Sequence, residues 1–230
     1  MLESNQTPLT NQTPLTNQTP LTNHHTSDNV HRFAVNPPQY LVTHSPNQGQ
    51  MDKLYRLRAE VFCRELAWVG SPEDEKEYDN FDNTSTHLGL FIDGQATGYL
   101  RVHHHDTPWM INTIFSSPLL GSKPTTQLAN SCEVSRLLIK STHRGKTKVS
   151  NHPPLNLLLS HLQNYCRNRN IRYVYMVVTP ATRVVFSRIG FKSTPLSKPV
   201  KMDDGCYAMA AVLDFGQVET LIPSKKTLCS

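Results

Sequence analysis

Six residues in this chain carry charge where charge is expensive. Glu133 and Arg136 interrupt the apolar run of "ANSCEVSRLLIK" (129–140), whose Val134, Leu137, Leu138 and Ile139 read as a buried strand. Arg58 lies four residues after Leu54 and four before Phe62, within the apolar stripe of a helix. Asp79 and Asp82 flank Phe81 in "EYDNFDN", and Arg101 ends a β-rich run just before three consecutive histidines. A buried charge is costly unless it is paired, so each of these needs an opposite partner or a ligand. Read singly, Arg58 is a guanidinium snorkelling to the rim of its helix, and the two aspartates form a turn. Read together, they predict three arginines and three acids (Asp79, Asp82 and Glu133) converging on one region. Two carboxylates in such a pocket can hold a cation or position arginines. In a regular strand positions i and i+3 face opposite ways, so Glu133 and Arg136 can share a pocket only if a bulge intervenes. Trp68 and Phe115 read as core or pocket lining. Histidines 103, 104 and 105 would alternate faces in a strand and cannot all reach one metal, and no metal site is expected.

The elements that must position these residues follow from periodicity and punctuation. "QYLVTH" (39–44) is a short strand, and "MDKLYRLRAEVFCREL" (51–66) an amphipathic helix. An acidic loop spans 71–86. Two β-rich runs in "HLGLFIDGQATGYLRVHHH" (87–105) join through Asp93-Gly94 as a hairpin. "CEVSRLLIK" (132–140) is a strand. Asn151 with prolines 153 and 154 opens a helix through "LNLLLSHLQNYCRN". "IRYVYMVVT" (171–179) is a strand, and Thr179-Pro180 caps the helix "ATRVVFSRI" that Gly190 ends. "CYAMAAVLDF" closes the domain as a strand. The order β–α–β–β–β–α–β–α–β predicts an α/β (α+β) fold: one domain with a mixed, mostly antiparallel sheet flanked by helices.

The chain has 230 residues, and no apolar run approaches the length of a membrane span. Its start lacks the basic and apolar regions of a secretory signal. The five cysteines are scattered and odd in number, which fits reduced thiols in a cytoplasmic protein. Three copies of NQTPLT fill 5–22. With a proline in every copy they can build neither a helix nor a ladder, so 1–36 is expected to be a disordered tail, 37–222 the folded domain and 223–230 a flexible end. The net charge of +5 is polarised: eight of the 18 acids lie between Glu60 and Asp82, whereas Arg136 to Lys201 holds 13 Lys/Arg and no acid. Such a block suits an anionic partner. A nucleic-acid module would explain that block but not the acidic loop or the arginine in a helix stripe, and no helix-turn-helix or zinc-finger pattern accompanies it.

The ordered set Arg58, Phe62, Trp68, Asp79, Asp82, Arg101, Phe115, Glu133, Arg136 resembles the acyl-homoserine-lactone (autoinducer) synthase family across about 39–215. "YMVVTPATRVVFSRIGF" is similar to that family's strand–helix segment behind an acyl pocket, with Thr179 at the strand end. The resemblance implies a GNAT-like fold and a two-substrate acyl transfer. The amine of S-adenosylmethionine attacks the thioester of an acyl-acyl-carrier protein or acyl-CoA, and lactonisation then releases methylthioadenosine. S-adenosylmethionine is a substrate here, and no cofactor is expected. Glu133 is the candidate base. Arg58, Arg101 and Arg136 would orient rather than react, because guanidinium keeps its proton. Thr179 would line the acyl pocket, where a hydroxyl can meet a 3-oxo group, or simply cap its helix. An acidic carrier protein would dock on the basic 136–201 region, with no nucleic acid and no stable membrane insertion. The alternative is a GNAT-type N-acyltransferase using acetyl-CoA. Its glycine-rich pyrophosphate loop is not matched by "THRGKTKVSNHPPLN", which has one glycine and two prolines.

Overall fold

A computed structural model describes residues 39–70, 72, 74–121, 124–145 and 151–219. The repeat-bearing segment 1–36 and residues 223–230 lie outside the described residues. The elements are β1 (Tyr40–Thr43), α1 (Gln48–Arg58), β2 (Ser85–Ile92), β3 (Gln95–His104), β4 (Ser131–Ile139), α2 (Pro154–Arg167), β5 (Tyr173–Val178), α3 (Pro180–Arg188), β6 (Ser193–Pro195), β7 (Val200–Lys201) and β8 (Tyr207–Asp214). This is the expected order with two short strands added before the last. Both are too short to leave a periodic signal.

The sheet runs β1-β2-β3-β4-β5-β8-β6, with β7 also on β8. Every pairing is antiparallel except β4 with β5. The β2–β3 hairpin turns at Asp93-Gly94, where φ is +48° and +74°. Two successive left-handed residues match the twist of the strands they join.

Alternation along the strands sorts the two faces. Leu88 and Leu90 of β2, with Leu100 and Val102 of β3, pack with Leu157, Leu158 and Leu162 of α2. The opposite face holds Leu54, Leu57, Val61 and Phe62 against Phe91 and Tyr99. There α1 comes so close to the sheet that a Cβ on Gly89 would sit 2.9 Å from a Leu54 methyl. Arg101 and His103 share the parity of Tyr99 and lie on this α1 face. Arg101 does not end its strand, because β3 runs on to His104.

Two departures from regularity position the charged residues. The helix expected over 51–66 is α-helical only to Arg58 and widens into a π-helix over Ala59–Glu65. Its exit is closed by Trp68 N–H on the Phe62 carbonyl, at 2.9 Å. In β4, Tyr99 faces Leu138 while Arg101 faces Ser135, so Arg136 and Leu137 together oppose Leu100. Arg136 has φ +54°, the left-handed residue of a bulge. This is the bulge that Glu133 and Arg136 require. Its non-glycine strain, about 1–3 kcal/mol for such a conformation, is held by the contacts of the Arg136 side chain.

Candidate active site

The three arginines and three acids close into a ring of alternating charge. Arg58 Nε meets Glu77 at 2.5 Å; Glu77 meets Arg136 Nη2 at 3.0 Å; Arg136 Nη2 also meets Asp79 at 3.0 Å. Asp79 meets Arg101 Nη1 at 2.6 Å, Arg101 meets Asp82 at 2.9 Å, and Asp82 returns to Arg58 Nη1 at 2.6 Å. Arg58 and Arg101 are fully buried, so neither snorkels. Asp79 and Asp82 do form a turn: Asp79 accepts from the Phe81 amide and Asp82 from the Asp79 amide, at 2.9 and 2.7 Å. Their remaining acceptor capacity goes to the guanidinium groups. Burial works to raise Asp82, but the hydrogen bond and charge of Arg58, with Arg101, outweigh it and hold the carboxyl down at about 2. The same opposition lowers Asp79 and Glu77.

The third acid of the ring is Glu77, not Glu133 as expected. Glu77 had a signal in its spacing, two residues before Asp79 and five before Asp82, but the surrounding acidic loop obscured it. Its amide bonds the Tyr55 carbonyl at 3.1 Å, which docks the loop on α1 and turns the carboxylate inward.

Glu133 is held differently. Its two oxygens accept from the amides of Met110 and Ile111, at 2.6 and 2.9 Å, and it is 1% exposed. Burial pushes its carboxyl up to about 7, against those two amides and Arg101. Such a group is poised to exchange a proton near neutrality. Nothing in the sequence marked Met110 and Ile111, because they act through backbone N–H. Met110 also sets its sulfur 3.1 Å from Arg101 Nη2, linking the ring to the carboxylate.

Beside the ring lies an open cavity of about 460 Å³. It exists because β4 and β5 pair only from Ser131/Tyr173 to Val134/Met176 and then part, β5 continuing along β8. Glu133, Ser135 and Arg136 line one wall, Thr179 and Thr182 the other, and Leu159, Leu162, Phe186 and Leu213 the apolar depth. Phe62, Trp68 and Phe115 are at its edge. Trp68 is 40% exposed, stacks on Phe62 with centroids 6.1 Å apart, and gives its indole N–H to Cys206 Sγ at 3.2 Å. Arg136 lies 5.4 Å from the Phe62 ring. Thr179 does both things open to it: it caps α3 by accepting from the Thr182 amide at 3.1 Å, and it lines the cavity. Among the described residues no cluster suited to a metal occurs, and no helix is long and apolar enough to cross a membrane.

A family model described as autoinducer synthase matches residues 43–220. An acyl-homoserine-lactone synthase of Yersinia ruckeri is 27% identical over 146 residues, 61% of this chain and 65% of that protein, so the match spans just under two thirds of the relative. The crystal structure of the AHL synthase LasI superposes with TM-score 0.64 at 22% identity, covering 77% of this chain and 89% of that one. The CoA-dependent acyl-homoserine lactone synthase BjaI, solved with SAM and isopentyl-CoA, gives TM-score 0.68 at 21% identity over 81% and 91%. The fold is the expected GNAT-like one, a mixed sheet flanked by helices.

Two outcomes test this geometry. Asp82→Ala takes one of two carboxylate partners from each of two buried guanidinium groups and should lower stability by about 3–5 kcal/mol in urea unfolding. Glu133 has its folded pKa raised from 4.5 to about 7. Its stabilising contribution is therefore complete below its unfolded pKa and lost as pH rises through about 7. The stability of wild type relative to Glu133→Gln should thus fall by roughly 3 kcal/mol between pH 4 and pH 8, read from paired unfolding curves.

Proposed function

The chain belongs to the autoinducer synthase family, and from that membership we propose that it is an acyl-homoserine-lactone synthase, producing a quorum-sensing signal from S-adenosylmethionine and an acyl thioester. The observation that carries the reading is the site's composition. A carboxylate near neutrality, a closed ring of arginines and acids, and a deep apolar cavity meet where β4 and β5 part. An amino acid with a charged tail fits the first two, and an acyl chain fits the third.

In the proposed reaction Glu133 accepts a proton from the substrate ammonium, directly or through one water. The freed amine bonds to the thioester carbon, the carbon–sulfur bond breaks, and the thiol leaves with a proton. The transient oxyanion requires N–H donors, which the β4 edge supplies once it leaves β5 after Val134. The substrate carboxylate then bonds to its own γ-carbon. The bond from that carbon to the sulfonium breaks, and its electrons neutralise sulfur as methylthioadenosine departs. Tethering makes this closure intramolecular. Arg136, whose side chain is 16% exposed at the cavity, is the ring member placed to orient a carboxylate; Arg58 and Arg101 hold the acids around it. The reaction needs no further cofactor. Thr179 Oγ1 lies 2.9 Å from Thr182 Oγ1 as well as accepting in the cap, so one hydroxyl of the pair keeps a proton for a 3-oxo group. Reaction in the cytoplasm suits the free, buried Cys63, Cys132 and Cys166.

The donor we favour is an acidic acyl-carrier protein, with acyl-CoA as the competing source. The basic run 136–201 narrows on inspection: Lys140 pairs with Glu60, Arg144 with Glu65 and Arg172 with Asp214, while Arg136 serves the ring. Of the other cations among the described residues, Arg183, Arg188 and Lys192 line a groove at α3 beside exposed Val184, the docking site we favour. That is the composition an acidic helical partner requires.

Purified protein given S-adenosylmethionine and a panel of carrier-protein and CoA thioesters should release methylthioadenosine and acyl-homoserine lactone together, with Glu133→Gln at least about 100-fold slower. Acetyl-CoA consumed with a plain amine and no methylthioadenosine from any donor would assign it to the acetyltransferases instead. Reversing Arg183, Arg188 and Lys192 to Glu should raise KM for acyl-carrier protein by about tenfold or more and leave CoA thioesters unaffected. Equal loss with both donors would remove α3 as the carrier site.

A further inference from the structure

The ring is braced from behind by two hydrogen-bond relays whose proton positions the geometry fixes. Arg101 Nε donates to Ser135 Oγ at 3.0 Å, and Ser135 Oγ lies 2.8 Å from His103 Nε2. On the other edge of that imidazole, Nδ1 lies 3.0 Å from Ser85 Oγ, which itself donates to the Phe81 carbonyl at 2.7 Å. A carbonyl only accepts, so the Ser85 proton is committed and Ser85 must accept from His103 Nδ1–H. A neutral His103 then takes the Ser135 proton on Nε2. It stays neutral because burial, helped by Arg101, lowers it to about 3. The charges it senses are Arg101 and Arg136 against Asp79 and Asp82.

The second relay serves Arg58. Its Nη1 donates to Tyr99 Oη at 3.2 Å, and Tyr99 Oη lies 2.7 Å from His87 Nδ1. His87 Nε2 lies 3.1 Å from the Asp82 carbonyl. By the same reasoning Nε2 carries the proton and Nδ1 receives that of Tyr99. The two histidines are thus opposite tautomers. Both relays end on carbonyls of the short 3-10 turn Asn80–Thr84, Phe81 for one and Asp82 for the other.

We propose that His103 and His87 are positioning residues for acyl transfer, each locking one buried arginine to the turn that carries Asp79 and Asp82. A guanidinium paired only with carboxylates can swing between their oxygens. Tying Arg101 Nε and Arg58 Nη1 to neutral hydroxyls removes that freedom, and Arg136 inherits the order through Asp79 and Glu77. A charged imidazole here would repel the arginine it is meant to hold. The kinetic consequence rests on the synthase reading; the tautomers do not.

The test combines a long-range proton–nitrogen spectrum of histidine-labelled full-length protein with kinetics. The spectrum should show one ring protonated at Nδ1 and neutral from pH 8 to pH 5, absent in His103→Gln, and one protonated at Nε2, absent in His87→Gln. A His103 ring protonated at Nε2, or titrating near pH 6.5, overturns the proposal whether or not the protein makes lactone. In turnover, His103→Leu should lose about 100-fold in kcat/KM for S-adenosylmethionine. His103→Gln, whose carbonyl can take the Ser135 proton, should recover to within about tenfold of wild type. Equal loss in Leu and Gln variants, or none in either, overturns it. A wild type with the expected tautomers but no turnover would refute the synthase reading and the kinetic role, leaving the relays as structure only.

Discussion

A protein interior cannot hold three guanidinium groups and three carboxylates unless each is paired on more than one side. That requirement shapes this fold more than any single apolar contact. Closing the charges into a ring satisfies it, because every acid bridges two arginines and every arginine two acids. Such a ring is weak evidence for stability, since desolvating six charges offsets much of their attraction. Its effect is on specificity of geometry. It ties α1, the loop before β2, β3 and β4 together at one point, and no one of them can shift without leaving a buried charge unpaired.

The second constraint is the parting of β4 and β5. A parallel pair that separates after four residues leaves a wedge, and the wedge is lined from α2 and α3 by leucine and phenylalanine side chains. The result is a cavity whose depth is apolar and whose mouth is charged. Glu133 sits on the last paired stretch, buried enough to be raised toward neutrality and held by the amides of Met110 and Ile111. The bulge three residues later turns Arg136 into the ring while its side chain still borders the cavity. One strand therefore supplies both a buried carboxylate raised toward neutrality and a guanidinium that borders the cavity.

Charge also separates across the molecule by neutralisation as well as by sequence. Four of the 13 basic residues that stand out in the sequence are paired with Glu60, Glu65, Glu77 and Asp214. These acids are distant in the chain, so a count along the sequence overstated the free positive face. Three others, Arg183, Arg188 and Lys192, line a groove at α3, which also walls the cavity through Thr182 and Phe186.

By itself the sequence determined the main elements and five of the six residues of the charged ring. Apolar periodicity, the Asp93-Gly94 turn and the Thr179-Pro180 cap are local rules, and the strands and helices follow them. The costly charges at Arg58, Asp79, Asp82, Arg101, Glu133 and Arg136 were legible for a related reason: charge within an apolar pattern demands a partner wherever the chain goes. Tertiary structure alone decided who the partners are. Glu77 rather than Glu133 completes the ring because the 74–79 loop docks on α1, a contact 22 residues apart at Tyr55 and Glu77. The backbone amides that hold Glu133 have no side-chain signature, and the π-turn and bulge depend on neighbouring strands for their register. The tautomers of His87 and His103 depend on hydroxyls and carbonyls brought together from three segments. A proton's place on an imidazole is set by what surrounds the ring, and that is written in no single stretch of chain.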